Sequence, residues 1–184
     1  DKKTIQIDPK FLAKGTRTKV TVSSTAATDL VPALESLMDY PYGCVEQTSS
    51  RLRSLLAAGH VLSLKRADAI RPMVDAGVSR LWSLQLRSGA LSYWPGQSHA
   101  ANWGTAYATE TLLTAKEHGH DVDERLLKSL QGFLETALNN SGETNFATKA
   151  AICCCLSRLG KPPTGWMSVL SEDLTELDMA ARSQ

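Results

Sequence analysis

From residue 44 onward, apolar residues recur at helical spacing. Leu52, Leu55, Leu56 and Gly59 fall on one face of a helix that starts near Cys44 and runs to about Leu64. Ile70, Val74, Gly77 and Leu81 do the same for a second helix over Asp68–Leu86. The period returns over Trp103–His118, Glu124–Leu138, Phe146–Leu159 and from Trp166 to the last residue. Between them, Ser88–Gly96 is rich in turn residues and reads as a small hairpin. Upstream, Asp29 caps a short helix carrying Leu30, Leu34 and Leu37, which Pro41 stops. Earlier still the period changes to two. Thr4-Ile5-Gln6-Ile7 and Thr18-Lys19-Val20-Thr21-Val22 alternate, broken by Asp8-Pro9 and Lys14-Gly15. The expectation is a β-like lead from a neighbouring domain over residues 1–25 and an all-α domain over 26–184.

Two of the helices repeat. Ala106, Leu112 and Gly119 correspond to Ala147, Cys153 and Gly160, each pair offset by 41 positions (106 to 147, 112 to 153, 119 to 160). A helix that ends on Gly and is followed by a partner helix, twice, is the mark of stacked αα-hairpins. The predicted architecture is therefore a partial α/α toroid, with a solenoid of the same hairpins compatible with the repeat.

Composition excludes more than it assigns. In 184 residues, 42% are hydrophobic and 21% charged, enough for one substantial core. The net charge of +1 and the lack of a basic stripe argue against a nucleic-acid surface. No stretch reaches the apolar length of a membrane span. Of the four cysteines, Cys153, Cys154 and Cys155 are consecutive in an apolar run. They match no zinc spacing and read as small core residues, with a metal or redox cluster as the alternative.

The chemistry concentrates in Gly43-Cys44-Val45-Glu46-Gln47. A thiol and a carboxamide three residues apart at a helix start can face each other. The sulfur can then displace ammonia from the amide and close an internal thioester through about fifteen ring atoms. Free N–H groups at a helix start favour thiolate character at such a position. The alternative is an ordinary buried Cys44 with Gln47 on the helix surface. By average residue usage, Gly-Cys-x-Glu-Gln arises by chance in on the order of one chain of this length in a thousand. The role of Glu46 does not follow from spacing; it could orient the turn or meet N–H groups of the helix start. Arg51 and Arg53 read as a solvated face.

With its flanks, the run Tyr40-Pro41-Tyr42-Gly43-Cys44-Val45-Glu46-Gln47-Thr48 resembles the thioester motif of the bacterial branch of the alpha-2-macroglobulin family. Gly89–Pro95 and Trp103-Gly104-Thr105-Ala106-Tyr107 resemble the hairpin and following helix of the same thioester domain. The resemblance implies a ring of about six helical hairpins, of which this chain holds the first half or somewhat more. It also implies a non-enzymatic, single-use protease trap. A protease cleaves a bait region elsewhere in the parent protein, and its lysine amine then attacks the acyl carbon of Gln47. The partners implied are that captured protease and the other domains of the parent, in a periplasmic, envelope or extracellular setting with a defensive role. No cofactor or metal is implied.

An exposed thioester would hydrolyse, so a shield is needed, and Tyr40, Tyr42, Trp94, Trp103 and Tyr107 are the aromatic candidates beside plain core packing. Complement-like relatives use a downstream histidine to favour hydroxyl acceptors. Here the histidines are His60, His99, His118 and His120, and none follows His120. His118 and His120 flank Gly119 at a predicted helix end, a structural setting. Amine preference is the expectation. Two other classes remain open: a binding or scaffolding module that never closes the ring, and an α/α-toroid enzyme of the prenyltransferase or cyclase type. The latter would want zinc ligands or an acidic cluster, and Asp121, Asp123 and Glu124 look instead like a helix start.

Overall fold

The alternating burial of the helices sorts them into two rows. The computed structural model describes residues 43–61, 67–140 and 144–172. The anticipated β-like lead, the Asp29 helix, Tyr40 and Tyr42 lie outside the described residues. Within them are six helices, α1 (Val45–Val61), α2 (Ala67–Trp82), α3 (Asn102–Glu117), α4 (Glu124–Asn139), α5 (Phe146–Arg158) and α6 (Thr164–Glu172). Among the described residues there are no strands, only two isolated antiparallel bridges, Gln85 with Leu91 and Ser92 with Ala100.

In α3, buried positions run round most of the helix: Thr105, Ala106, Leu112 and Leu113 on one side, and Gly104, Ala108, Thr111 and Ala115 beyond it. In α4 they form a single stripe of Leu126, Leu127, Leu130, Leu134 and Leu138. A helix covered on most sides sits inside; a one-striped helix sits outside. The packing agrees. α1, α3 and α5 lie side by side, α2 flanks α1, α4 bridges α3 and α5, and α6 covers α5. These are stacked αα-hairpins, as the repeat predicts. Each fully buried leucine, such as Leu52, Leu112 or Leu130, contributes about 1.5–3 kcal/mol through apolar burial.

The repeated glycines close the repeated helices. Gly119 and Gly160 have φ of 79° and 76°. After α3, Gly119 N–H donates to Lys116 O (2.9 Å) and His120 N–H to Ala115 O (3.1 Å). After α5, Gly160 N–H donates to Ser157 O (3.0 Å) and Lys161 N–H to Leu156 O (2.8 Å). Both ends are Schellman motifs, whose left-handed residue glycine adopts without a Cβ penalty. Arg71 of α2 donates to Gly119 O (2.8 Å), and His120 Nδ1 meets Asp75 Oδ1 (2.7 Å). His118 Nδ1 lies 2.8 Å from Thr114 O. Both histidines thus hold the end of α3.

Two helix limits differ from expectation by two residues or more. α1 is described to Val61, and its expected end near Leu64 falls among residues 62–66, outside the described set. α2 ends at Trp82 rather than Leu86, because Leu84 and Gln85 turn back onto Leu81 and Trp82 and Gln85 then pairs with Leu91. The hairpin captures the last residues of the apolar pattern. α6 starts at Thr164, two residues before Trp166, directly after Pro162-Pro163, and Met167 N–H donates to Pro163 O (3.0 Å). Proline at a helix start removes a donor that would have had no partner there.

Helix contacts depend on a few small residues. A Cβ on Gly77 would lie 2.4 Å from Leu52 Cδ2, so glycine sets the α1–α2 approach. Gly132, on α4, has nothing within 4 Å of its Cβ direction. Two substitutions at helical glycines should therefore act with opposite signs. Gly77→Ala should destabilise by about 1–3 kcal/mol through overpacking. Gly132→Ala should stabilise by about 0.5–1 kcal/mol through reduced backbone entropy and better helix propensity. Thermal unfolding of the two variants reads the sign directly, and equal shifts in one direction would contradict the assignment.

Candidate functional site

The first turn of α1 builds the site from its own capping. Cys44 is the residue before the helix, and its carbonyl accepts the first intrahelical bond, from Thr48 N–H (2.9 Å). Cys44 N–H donates to Gln47 Oε1 at 3.2 Å, and Gln47 N–H donates to Cys44 Sγ at 3.4 Å. This is a reciprocal capping box in which sulfur takes the place of the usual hydroxyl. The bonds pin both side chains to the same open helix end. Cys44 is buried at 3% exposure, whereas Gln47 is exposed. Gly43 leaves room for the fold-back: a Cβ there would stand 3.3 Å from Gln47 Cβ and 3.0 Å from Thr48 Oγ1.

The hairpin after α2 supplies the other wall. Val45 N–H, the next free donor of the helix start, donates to Tyr93 O (3.0 Å). The hairpin is clamped from behind. Leu91 N–H donates to Thr105 Oγ1 (3.0 Å), Ala101 N–H donates to Leu91 O (2.9 Å), and Ser92 Oγ donates to Leu84 O (3.1 Å). Gly89, with φ of 89°, brings the turn so close to α4 that a Cβ would lie 2.5 Å from Ser129 O. Gly104 does the same between α3 and the site: its Cβ would lie 2.6 Å from Val45 Cγ1.

Tyr93 is the residue that sequence reasoning missed. Its hydroxyl donates to Glu46 Oε2 at 2.5 Å, and its carbonyl receives the Val45 N–H, so Tyr93 is tied to the two residues that directly follow Cys44. The Glu46 carboxylate, then burial, then Cys44 hold the phenol well above the usual tyrosine range, so it stays protonated. The available signal was its position in Gly89–Pro95, beside Trp94. Glu46 now has an observed partner.

Of the anticipated aromatics, Trp94, Trp103 and Tyr107 fall among the described residues. Trp94 and Trp103 are 43% and 41% exposed. Trp94 meets Tyr93 edge-on at 6.3 Å, and Trp103 stacks on Tyr107 at 5.0 Å. The Tyr107 hydroxyl lies 3.1 Å from Ser50 Oγ, and Arg53 sits 5.2 Å from its ring centroid. Arg53 also pairs with Glu110 (2.9 Å), so it is a link between α1 and α3 rather than a bare solvated charge. Asp123 caps α4 through Arg125 N–H (2.7 Å). Among the described residues, no group of three or more His, Cys, Asp or Glu is arranged to hold a metal ion.

The comparisons with known proteins point one way. Over 149 residues, or 72% of this chain, it is 33% identical to the alpha-2-macroglobulin of Escherichia coli. It is 30% identical to the Xylella fastidiosa alpha-2-macroglobulin across 92% of the chain. The chain belongs to the alpha-2-macroglobulin family. It spans 9% and 12% of the length of those two relatives. A native crystal structure of Escherichia coli alpha-2-macroglobulin, from its MG7 domain to the C-terminus, superposes with a TM-score of 0.69 at 25% identity. That match covers 80% of this chain and 26% of the other. A Salmonella alpha-2-macroglobulin reacted with methylamine matches with the same TM-score at 27% identity, covering 80% of this chain and 11% of that one. No family model matches the chain. The all-helical fold is that of an alpha-2-macroglobulin segment.

The three consecutive cysteines are set apart from this site. Cys153 and Cys155 are buried, and Cys155 Sγ donates to Ala106 O (3.1 Å) where α5 meets α3. Burial pushes their thiols up to about 11 and about 12 respectively. At pH 8 a thiol of that kind is ionised on the order of one part in a thousand or less. Both should therefore resist a thiol reagent in the native protein and react after denaturation. Labelling followed by peptide mapping checks this; rapid native labelling at either position would contradict it.

Proposed function

We propose that this chain is the thioester-bearing segment of an alpha-2-macroglobulin-like protease inhibitor. The reading rests most on the reciprocal hydrogen bonds that fold Cys44 and Gln47 onto each other. Cys44 Sγ attacks the Gln47 carboxamide carbon, a C–S bond replaces the C–N bond, and nitrogen leaves as ammonia with the thiol proton. The product is an acyl electrophile with a thiolate leaving group. An amine, such as a lysine of an attacking protease, then attacks the same carbon. The C–S bond breaks with its electron pair on sulfur, and an amide joins Gln47 to the protease. The chain is consumed once and is not an enzyme.

Family membership supports the inhibitor role, together with a setting outside the cytoplasm, in the periplasm, cell envelope or extracellular space. Bait cleavage and the remaining domains belong to the rest of the parent protein. The aromatic cover over the bond falls to Tyr93, which approaches it from the hairpin, with Tyr40, Tyr42, Trp94, Trp103 and Tyr107 as further members. Amines are the acceptors this reading assigns; His118 and His120 are engaged at the end of α3. No helix among the described residues is long and apolar enough to cross a membrane.

Intact mass tests this reading. The closed ring should weigh about 17 Da less than the unmodified chain, the mass of the ammonia lost. Methylamine should raise it to about 14 Da above the unmodified value and release one thiol. Cys44→Ser should show neither change. A wild-type mass at the unmodified value, unmoved by methylamine, would contradict the proposal.

A further inference from the structure

Tyr93 has one hydroxyl hydrogen and two neighbours that can take it. Glu46 Oε2 receives it at 2.5 Å, and Cys44, two residues before Glu46 at the same helix start, is near enough to help hold the phenol protonated. Both neighbours come from the first turn of α1, and they are the charged or titratable groups acting on Tyr93. The backbone fixes the geometry, because Tyr93 O accepts from Val45 N–H at 3.0 Å. With its carbonyl on Val45 and its hydroxyl on Glu46, Tyr93 is anchored at both ends to the residues that directly follow Cys44.

This matters when the C–S bond breaks or forms. Sulfur in a thioester carries little charge and is a poor acceptor. Sulfur leaving as a thiolate carries a full charge and is a good one. A donor already beside it stabilises the charge as it develops, with little reorganisation. Resting on the thioester reading above, we infer that Tyr93 is a catalytic hydrogen-bond donor to the Cys44 sulfur. Glu46 is a positioning residue that holds the Tyr93 hydroxyl and competes for its hydrogen.

As an amine attacks the Gln47 acyl carbon, the electron pair of the breaking C–S bond moves to sulfur. The Tyr93 O–H turns from Glu46 towards the thiolate, and the excess proton on the amine passes to solvent. Tyr93 keeps its proton throughout, as its Glu46-bonded, strongly weakened acidity requires. In the closed state the hydrogen returns to Glu46. Glu46 thus acts as a brake on the bond, and Tyr93 as the group that assists its opening.

The two residues should then move the rate of methylamine cleavage in opposite directions. Tyr93→Phe keeps the ring and its cover but loses the donor, and should slow cleavage by about tenfold or more. Glu46→Gln keeps the shape but weakens the competing acceptor and removes a negative charge beside the sulfur. It should speed cleavage severalfold. Both are read on purified protein by mass and thiol release, with circular dichroism confirming the fold. A residue that only covers the bond gives a different pattern: Tyr93→Phe would be unchanged or faster. An intact wild-type thioester that opens at an unchanged or higher rate in Tyr93→Phe overturns this inference alone, as does a slower Glu46→Gln. A wild-type chain without the mass deficit overturns the thioester reading and this inference with it.

Discussion

A helix that begins inside a folded protein has N–H groups that need acceptors, and the start of α1 meets that need largely with the side chains of Cys44 and Gln47. Gln47 Oε1 takes the Cys44 N–H, Cys44 Sγ takes the Gln47 N–H, and Tyr93 O takes the Val45 N–H. Each bond has a structural purpose, since an unpaired buried N–H costs about 1–3 kcal/mol. The same bonds gather the thiol and the carboxamide. Capping and the proposed chemistry share one set of atoms, and the spacing of three residues matches the reach of a capping box.

Everything around the site serves to hold that first turn. Gly104 lets α3 approach Val45, and Thr105 of the same helix offers its hydroxyl to the hairpin backbone at Leu91. Gly89 lets the hairpin lie against α4. The hairpin, though irregular, is thus fixed at Gly89 and Leu91, and Tyr93 is held in turn by Val45 N–H on its carbonyl. Behind it, the row of α1, α3 and α5 is drawn close by Cys155 against Ala106 and by the ion pairs of Glu110 with Arg53 and Arg158 (2.9 and 3.9 Å). Lys149, buried in α5, places its ammonium 3.9 Å from the Trp166 ring centroid, so α6 is joined by an aromatic face rather than an opposite charge.

Much of this was legible in the chain because its signals are local. Apolar spacing located the helices, and Gly119 and Gly160 announced the two ends that proved to be Schellman motifs. The pairing of Cys44 with Gln47 was legible for the same reason, since both lie within one turn. What escaped was long-range. Tyr93 and Glu46 are far apart in the chain, and no periodicity or motif spacing links them. Arg53 read as a solvated charge because Glu110 lies on another helix. The end of α2 was overestimated because Leu84 and Leu86 continue the apolar pattern while their backbone bonds go to the hairpin. Local propensity yielded to tertiary hydrogen bonding there.

The central claim is that the acyl carbon of Gln47 is the electrophile. The most direct measurement is to react the native protein with isotopically labelled methylamine, digest it, and sequence the peptide containing Cys44 and Gln47 by tandem mass spectrometry. The account predicts the label on Gln47, at one copy per chain, with Cys44 in the same peptide newly open to a thiol reagent. Label at another glutamine, such as Gln85 or Gln97, or no label with Cys44 reactive from the outset, would contradict it.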